Sequence, residues 1–280
     1  PDLAGSLLPC AGASCTVAGS IHGTHVAGIV TGSGASGALD GEGFLRGLGV
    51  APQAKILEQE YALFRFLPGG VFELITDSKR SGATISNNSW GSSTTAKGYN
   101  AEALMIDAGV RDANPTEPGN QPLIYVQAIN NGNGGVSSQG APDEAKNSIV
   151  VGSTRGLDFD GNQGADYDSV SDNSAHGPAL DGRRIPHLVA PGCRVDSTLP
   201  DIGEGYVHGT RCGTSMAAPQ VSGAAALFTQ YYRALAGGSD PSPALVKAAL
   251  LSTARDLSGH QGPDNAVLGH PPDRKRGGGR

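Results

Sequence analysis

The stretch Gly213-Thr-Ser-Met-Ala-Ala-Pro-Gln-Val-Ser-Gly223 opens an alanine-rich segment, 214–235, whose composition predicts a long helix. A glycine–threonine turn leads into it, which puts Ser215 close to a helix N-terminus, where free amide groups favour developing negative charge. A serine hydroxyl is a poor nucleophile until an imidazole takes its proton, so a histidine must meet Ser215 in the fold if it is to react. The small residues Ala217 and Ala218 are expected to let substrate and helix approach closely.

Outward from this helix the chain alternates strand-length apolar runs with helix-like stretches. Residues 55–61 (KILEQEY), 84–88 (TISNN), 123–129 (LIYVQAI) and 148–151 read as strands; 70–82, 100–112 and 243–253 read as helices, the second stopped by Pro115. Strands without polar alternation, separated by helices, indicate a parallel sheet covered on both faces. The expected fold is therefore α/β, a three-layer sandwich with a central parallel β-sheet. No repeat or inter-domain linker interrupts 1–280, and glycine-rich 32–43, 132–140 and 156–164 read as loops. The basic end, 273–280, reads as a solvated loop rather than a binding site.

Of 280 residues, 43 are glycine, about twice the usual ~7%. The glycines have no three-residue period and the 38% hydrophobic content is evenly spread, which excludes collagen and wholesale disorder. A net charge of −6 argues against a nucleic-acid partner, and no apolar run approaches the ~18 residues of a membrane span. The chain opens without a signal peptide or a methionine, so Pro1 reads as a cut end.

A second informative stretch is His22-Gly-Thr-His-Val-Ala-Gly28. His22 and His25 are three apart, but the H-E-x-x-H zinc pattern needs a four-residue step enclosing a glutamate. The G-x-S-x-G elbow is absent too, because Ala217 stands two residues after Ser215. Four cysteines fit no C-x-x-C metal pair. They read either as two disulfides, Cys10–Cys15 and Cys193–Cys212, in an oxidising compartment, or as four buried thiols.

Together, HGTHVAG and GTSMAAPQVSG resemble the histidine and serine signatures of the subtilisin-like serine proteases (subtilases), in the family's order. Asn87-Asn-Ser-Trp-Gly91, Ala145-Lys-Asn-Ser-Ile-Val-Val-Gly152, Ala190-Pro-Gly192 and Asn173-Ser-Ala-His-Gly-Pro178 with Asp181-Gly-Arg183 resemble further family passages, so the likeness spans nearly the whole chain. It implies a secreted, monomeric serine endopeptidase acting on proteins or peptides, with no cofactor needed for the chemistry. Ser215 is the expected nucleophile, His22 its base, and Asn131 the side-chain donor to the oxyanion. Asn133 is the alternative donor, since it keeps the family's Gly-Asn order. In the family the strand corresponding to NSWG lies against the substrate backbone.

The chain departs from the family in three places. The catalytic aspartate of the family's D-[ST]-G turn is not found. Pro1-Asp-Leu3 resembles the tail of that passage, which places the acid upstream of residue 1. The other readings are that Asp2 itself is the acid, or that the protein is an acid-free binding or scaffold member of the fold. Ile21 stands where a small residue is usual, and altered packing beside the site is expected. The C-terminal passage 263–280 resembles the family's closing run, so the chain reads as a peptidase domain trimmed at both ends. Structural calcium is the remaining expectation, with Asp158, Asp160, Asp166 and Asp168 as candidate ligands in an acidic loop.

Overall fold

The computed structural model of the chain describes residues 1–15, 19–132, 135–157, 164, 166–201 and 207–280. At its centre four parallel strands lie in the order β1 (Ile85–Asn88), β2 (Ile124–Ala128), β3 (Ile149–Thr154) and β4 (Leu188–Pro191). The register pairs Ile85 with Ile124, Val126 with Ile149 and Val151 with Leu188. Both faces of this sheet are covered, which is why its strands lack polar alternation.

The even-numbered residues of β2, Ile124, Val126 and Ala128, pack with Ile149, Val151 and Leu188 against Ala217, Ala218, Val221 and Ala225 of α4 (Thr214–Leu235) and Val246 of α5 (Pro243–Ser252). Leu123 and Tyr125 face the other way, onto Val71, Leu74 and Ile75 of α2 (Val71–Arg80) and Ala103, Ile106 and Val110 of α3 (Ala101–Arg111). The layers are thus helix, sheet, helix, as expected. Asn100 caps α3, its side chain accepting from Ala103 N at 3.0 Å.

Ala217 and Ala218 are fully buried against the sheet. Their small size brings α4 close to the strands, not substrate close to α4. The predicted strand 55–61 reduces to one parallel bridge, Leu7 with Ile56. Beyond it, Glu60 N donates to Ser14 O, and a 3-10 turn spans Tyr61–Arg65. The basic end is not a solvated loop. Arg276 is fully buried beside Asp273 and Asp256, Lys275 pairs with Asp264, and Arg280 reaches Asp168 at 2.7 Å. Val189 N donates to Gly279 O, and Gly278 N to His187 O.

A helix the sequence reading left unassigned, α1 (Ile21–Thr31), packs on α4 and on an antiparallel hairpin of β5 (Val195–Leu199) and β6 (Val207–Arg211). Ser197 Oγ donates to His25 O and Thr198 Oγ1 to Thr24 O, both at 2.9 Å. A Cβ on Gly28 would collide with those hydroxyl groups, which gives the glycine its place in HGTHVAG. Ile21 is about half exposed at the start of α1.

Candidate active site

Parallel strands end on the same side of a sheet, and helices that return antiparallel begin there. At that rim β1 runs into Ser89, β2 into Asn130 and Asn131, β4 into Gly192 and Cys193, and α4 begins with Thr214 and Ser215. An open cleft of about 380 Å3 lies here, lined by His22, Asn131, Thr210, Arg211, Cys212, Gly213, Ser215 and Met216. The structure therefore brings all three sequence-derived candidates together. Asn133, the alternative to Asn131, lies outside the described residues.

Gly213 enters α4 at φ 162°, ψ 158°, and its amide donates to Gly192 O at 2.8 Å. Cys193–Cys212 is a disulfide, and so is Cys10–Cys15; the first ties the end of β4 to the residue before Gly213. Both proposed pairings are formed, and no cysteine is left as a free thiol.

Pro219 lies inside α4, four residues after Ser215, and has no amide hydrogen to give to Ser215 O. Ser89 Oγ supplies that hydrogen bond instead, at 2.8 Å. Ser215 Oγ in turn donates to Ser89 O at 3.3 Å. Ser215 and Ser89 are thus joined reciprocally, and no hydrogen bond links Ser215 to His22. In the sequence Ser89 stands only as a member of the Asn87–Gly91 passage; the signal for its role is Pro219, read with the i to i−4 rule.

Asn131 Oδ1 accepts from Thr214 N at 3.0 Å, with Asn173 Nδ2 at 3.4 Å behind it. With its oxygen so held, the amide end of Asn131 is left for the cleft. The Asn173–Pro178 passage backs it: Gly132 N donates to Asn173 O, and Asn131 bridges Ser174.

His22 is the second residue of α1, just after the Ser20 cap that accepts from Gly23 N. Burial, followed by the positive charge of Arg211, lowers its pKa below the ordinary value, which favours the neutral base. His25 is buried, its Nε2 donating to Gly209 O at 2.9 Å, and tethers α1 to β6 rather than holding a metal. Among the described residues, no carboxylate bonds to His22. Asp2, the alternative acid, is buried elsewhere: its carboxylate accepts from Ser36 N at 2.7 Å and meets His208 Nε2 at 2.9 Å.

Of the candidate calcium ligands, Asp158 and Asp160 lie outside the described residues. Asp166 pairs with Arg155, and Asp168 with Arg255 and Arg280, so these two are neutralised by arginines and do not fit a cation site. The described residues contain no group of three or more His, Cys, Asp or Glu able to hold a metal ion, and no helix long and apolar enough to cross a membrane.

The family model for the subtilase family matches residues 13–269. Subtilisin BL of Lederbergia lenta is 32% identical over 219 residues, 78% of this chain and 66% of that protein. Subtilisin NAT of Bacillus subtilis subsp. natto is 31% identical over 218 residues, 75% of this chain and 46% of that protein. The chain thus spans between about half and two thirds of the length of these relatives. Among solved structures, Sphericase superposes with a TM-score of 0.66 at 24% identity, covering 100% of this chain and 85% of that one.

Proposed function

We propose a serine endopeptidase, starting from the fact that this chain belongs to the subtilase family. The observation that carries the proposal is the convergence of Ser215, at the N-terminus of α4, with His22, at the N-terminus of α1, on one cleft that also contains Asn131. In this reading Ser215 Oγ leaves Ser89 O, attacks the peptide carbonyl carbon and gives its proton to the His22 imidazole. The tetrahedral oxyanion is held by Ser215 N–H and the Asn131 amide. Collapse breaks the C–N bond as His22 returns the proton to the leaving amine. Water then cleaves the Ser215 ester with His22 again as base.

An acid that orients the His22 ring belongs to this mechanism, and the proposal assigns it to no described carboxylate. Two disulfides support secretion, because such bonds persist in oxidising surroundings. Labelling of the full-length protein by a fluorophosphonate probe, lost in Ser215→Ala, tests the assignment. Labelling of another serine with Ser215 left free overturns it.

A further inference from the structure

Asn130 has φ +67°, a conformation that L side chains other than Asn and Asp rarely adopt. Its carboxamide lies between two glycines. A Cβ on Gly91 would stand 2.5 Å from Asn130 Nδ2, and a Cβ on Gly140 would collide with the same atom. Nδ2 donates to Ser93 O at 3.3 Å and to Asp143 Oδ2 at 3.1 Å. The same Asp143 oxygen accepts from Gly140 N at 2.7 Å, while Asp143 Oδ1 is buried and unpartnered. The walls are fixed, because Ser92 N donates to Ala141 O and Ala141 N to Ser93 O. Asn130 O accepts from Thr214 Oγ1 at 3.1 Å, which ties the residue to the nucleophile's helix as well.

The position of this filled slot bears on substrate choice, on the protease reading above. His22 must face the leaving amine, so the leaving half of a substrate lies over the cleft lined by His22, Arg211 and Cys212. The acyl half then departs from Ser215 past Ser89, its contact outside that lining, and along 89–91. With the acyl oxygen at Ser215 N and Asn131, the side chain next to that carbonyl comes down beside Asn130.

We propose that Asn130 is the specificity-determining residue of this site: its carboxamide fills the slot between Gly91 and Gly140, restricting cleavage to bonds that follow Gly, Ala or Ser. A larger side chain has to expel Asn130, breaking its bonds to Ser93 O and Asp143 Oδ2.

The experiment compares the full-length protein with its Asn130→Gly variant, since glycine accepts φ +67° without strain. Peptide substrates differ only in the residue before the scissile bond, Ala or Phe. The unsubstituted enzyme should favour Ala in kcat/KM by at least about tenfold, and N130G should shift the Phe-to-Ala ratio toward Phe by at least about tenfold. An enzyme that cleaves after Phe as well as after Ala, or a ratio that N130G leaves unmoved, overturns the proposal. If N130G fails to fold, the preference of the unsubstituted enzyme decides alone. A labelled Ser215 with preference for Phe removes only this inference. No turnover with Ser215 unlabelled removes the protease reading and this inference with it.

Discussion

Arg211 and His22 line the same cleft, and the guanidinium works against a second positive charge on the imidazole. Burial lowers the His22 pKa first and Arg211 adds to it, so the neutral base persists to lower pH than an exposed histidine would allow. Arg211→Gln removes one of these causes. The acid limb of the kcat/KM profile, which reports protonation of the free enzyme's base, should move to higher pH. A limb that stays in place or moves down refutes the coupling.

For the oxyanion, loss of the corresponding side-chain donor in a subtilisin costs about 10²–10³ in turnover. Asn131→Ala should fall in kcat by that order with KM nearly unchanged. A variant that loses substrate affinity instead would show that Asn131 binds the ground state as strongly as the transition state.

The bond from Ser89 Oγ to Ser215 O exists because Pro219 donates nothing. Ser89→Ala should therefore cost about 1 kcal/mol in urea unfolding. The loss should shrink in a Pro219→Ala background, where the helix supplies its own amide. Equal losses in both backgrounds would show that the two residues are uncoupled.

The Cys193–Cys212 bridge closes a loop over a sequence separation of 19 residues. Chain entropy for a loop near this length gives about 3 kcal/mol. Replacing both cysteines by alanine should lower stability by that order and reduce turnover, since the loop ends at Cys212, next to Gly213 at the start of α4. Stability unchanged by the double substitution contradicts the entropic account.

Lys247 sits at the opposite end of the strands from the cleft, beside the residues that precede β3. Its Nζ lies 2.7 Å from Ser148 O, 2.9 Å from Lys146 O and 3.0 Å from His187 Nε2. Val150 N donates to His187 Nδ1, so the neutral ring carries its proton on Nε2 and can donate it to Lys247 Nζ only when that amine is uncharged. Burial pushes Lys247 down to about 8. A base depressed in the folded state adds stability above its unfolded pKa and loses it as pH falls through the folded one. Stability should thus rise from about pH 8 to about 10 in the native protein relative to Lys247→Met. Parallel curves for the two proteins rule this out.

The sheet and its flanking helices were legible because strands covered on both faces carry runs such as LIYVQAI, and α4 carries a helix-forming, alanine-rich composition. Ser215 and His22 were legible through short, specific strings. Other features depend on contacts distant in sequence. Strand character in 55–61 gave way because its bridge to Leu7 stops after Ile56. The basic end looked solvated because Asp168, Asp256 and Asp264 are separated from it in sequence or by turns that pattern does not reveal. Arg211 carried no signal at all, since its effect on His22 comes from the β5–β6 hairpin folding back over α1.

Residues 277–279 have a consequence for the protein in a crowded solution. By receiving the amide of Val189 and donating to His187 O, they occupy the outer margin of β4, where a parallel sheet would present open backbone groups to any passing strand. Gly277 has φ +63°, and a Cβ there would run into His187 O, so the chain can lie this close only with glycine. Gly277, Gly278 and Gly279 therefore close this margin to another strand. A protein lacking 277–280 should fold around the same cleft yet pass into aggregates on standing or warming, where the intact chain stays dispersed.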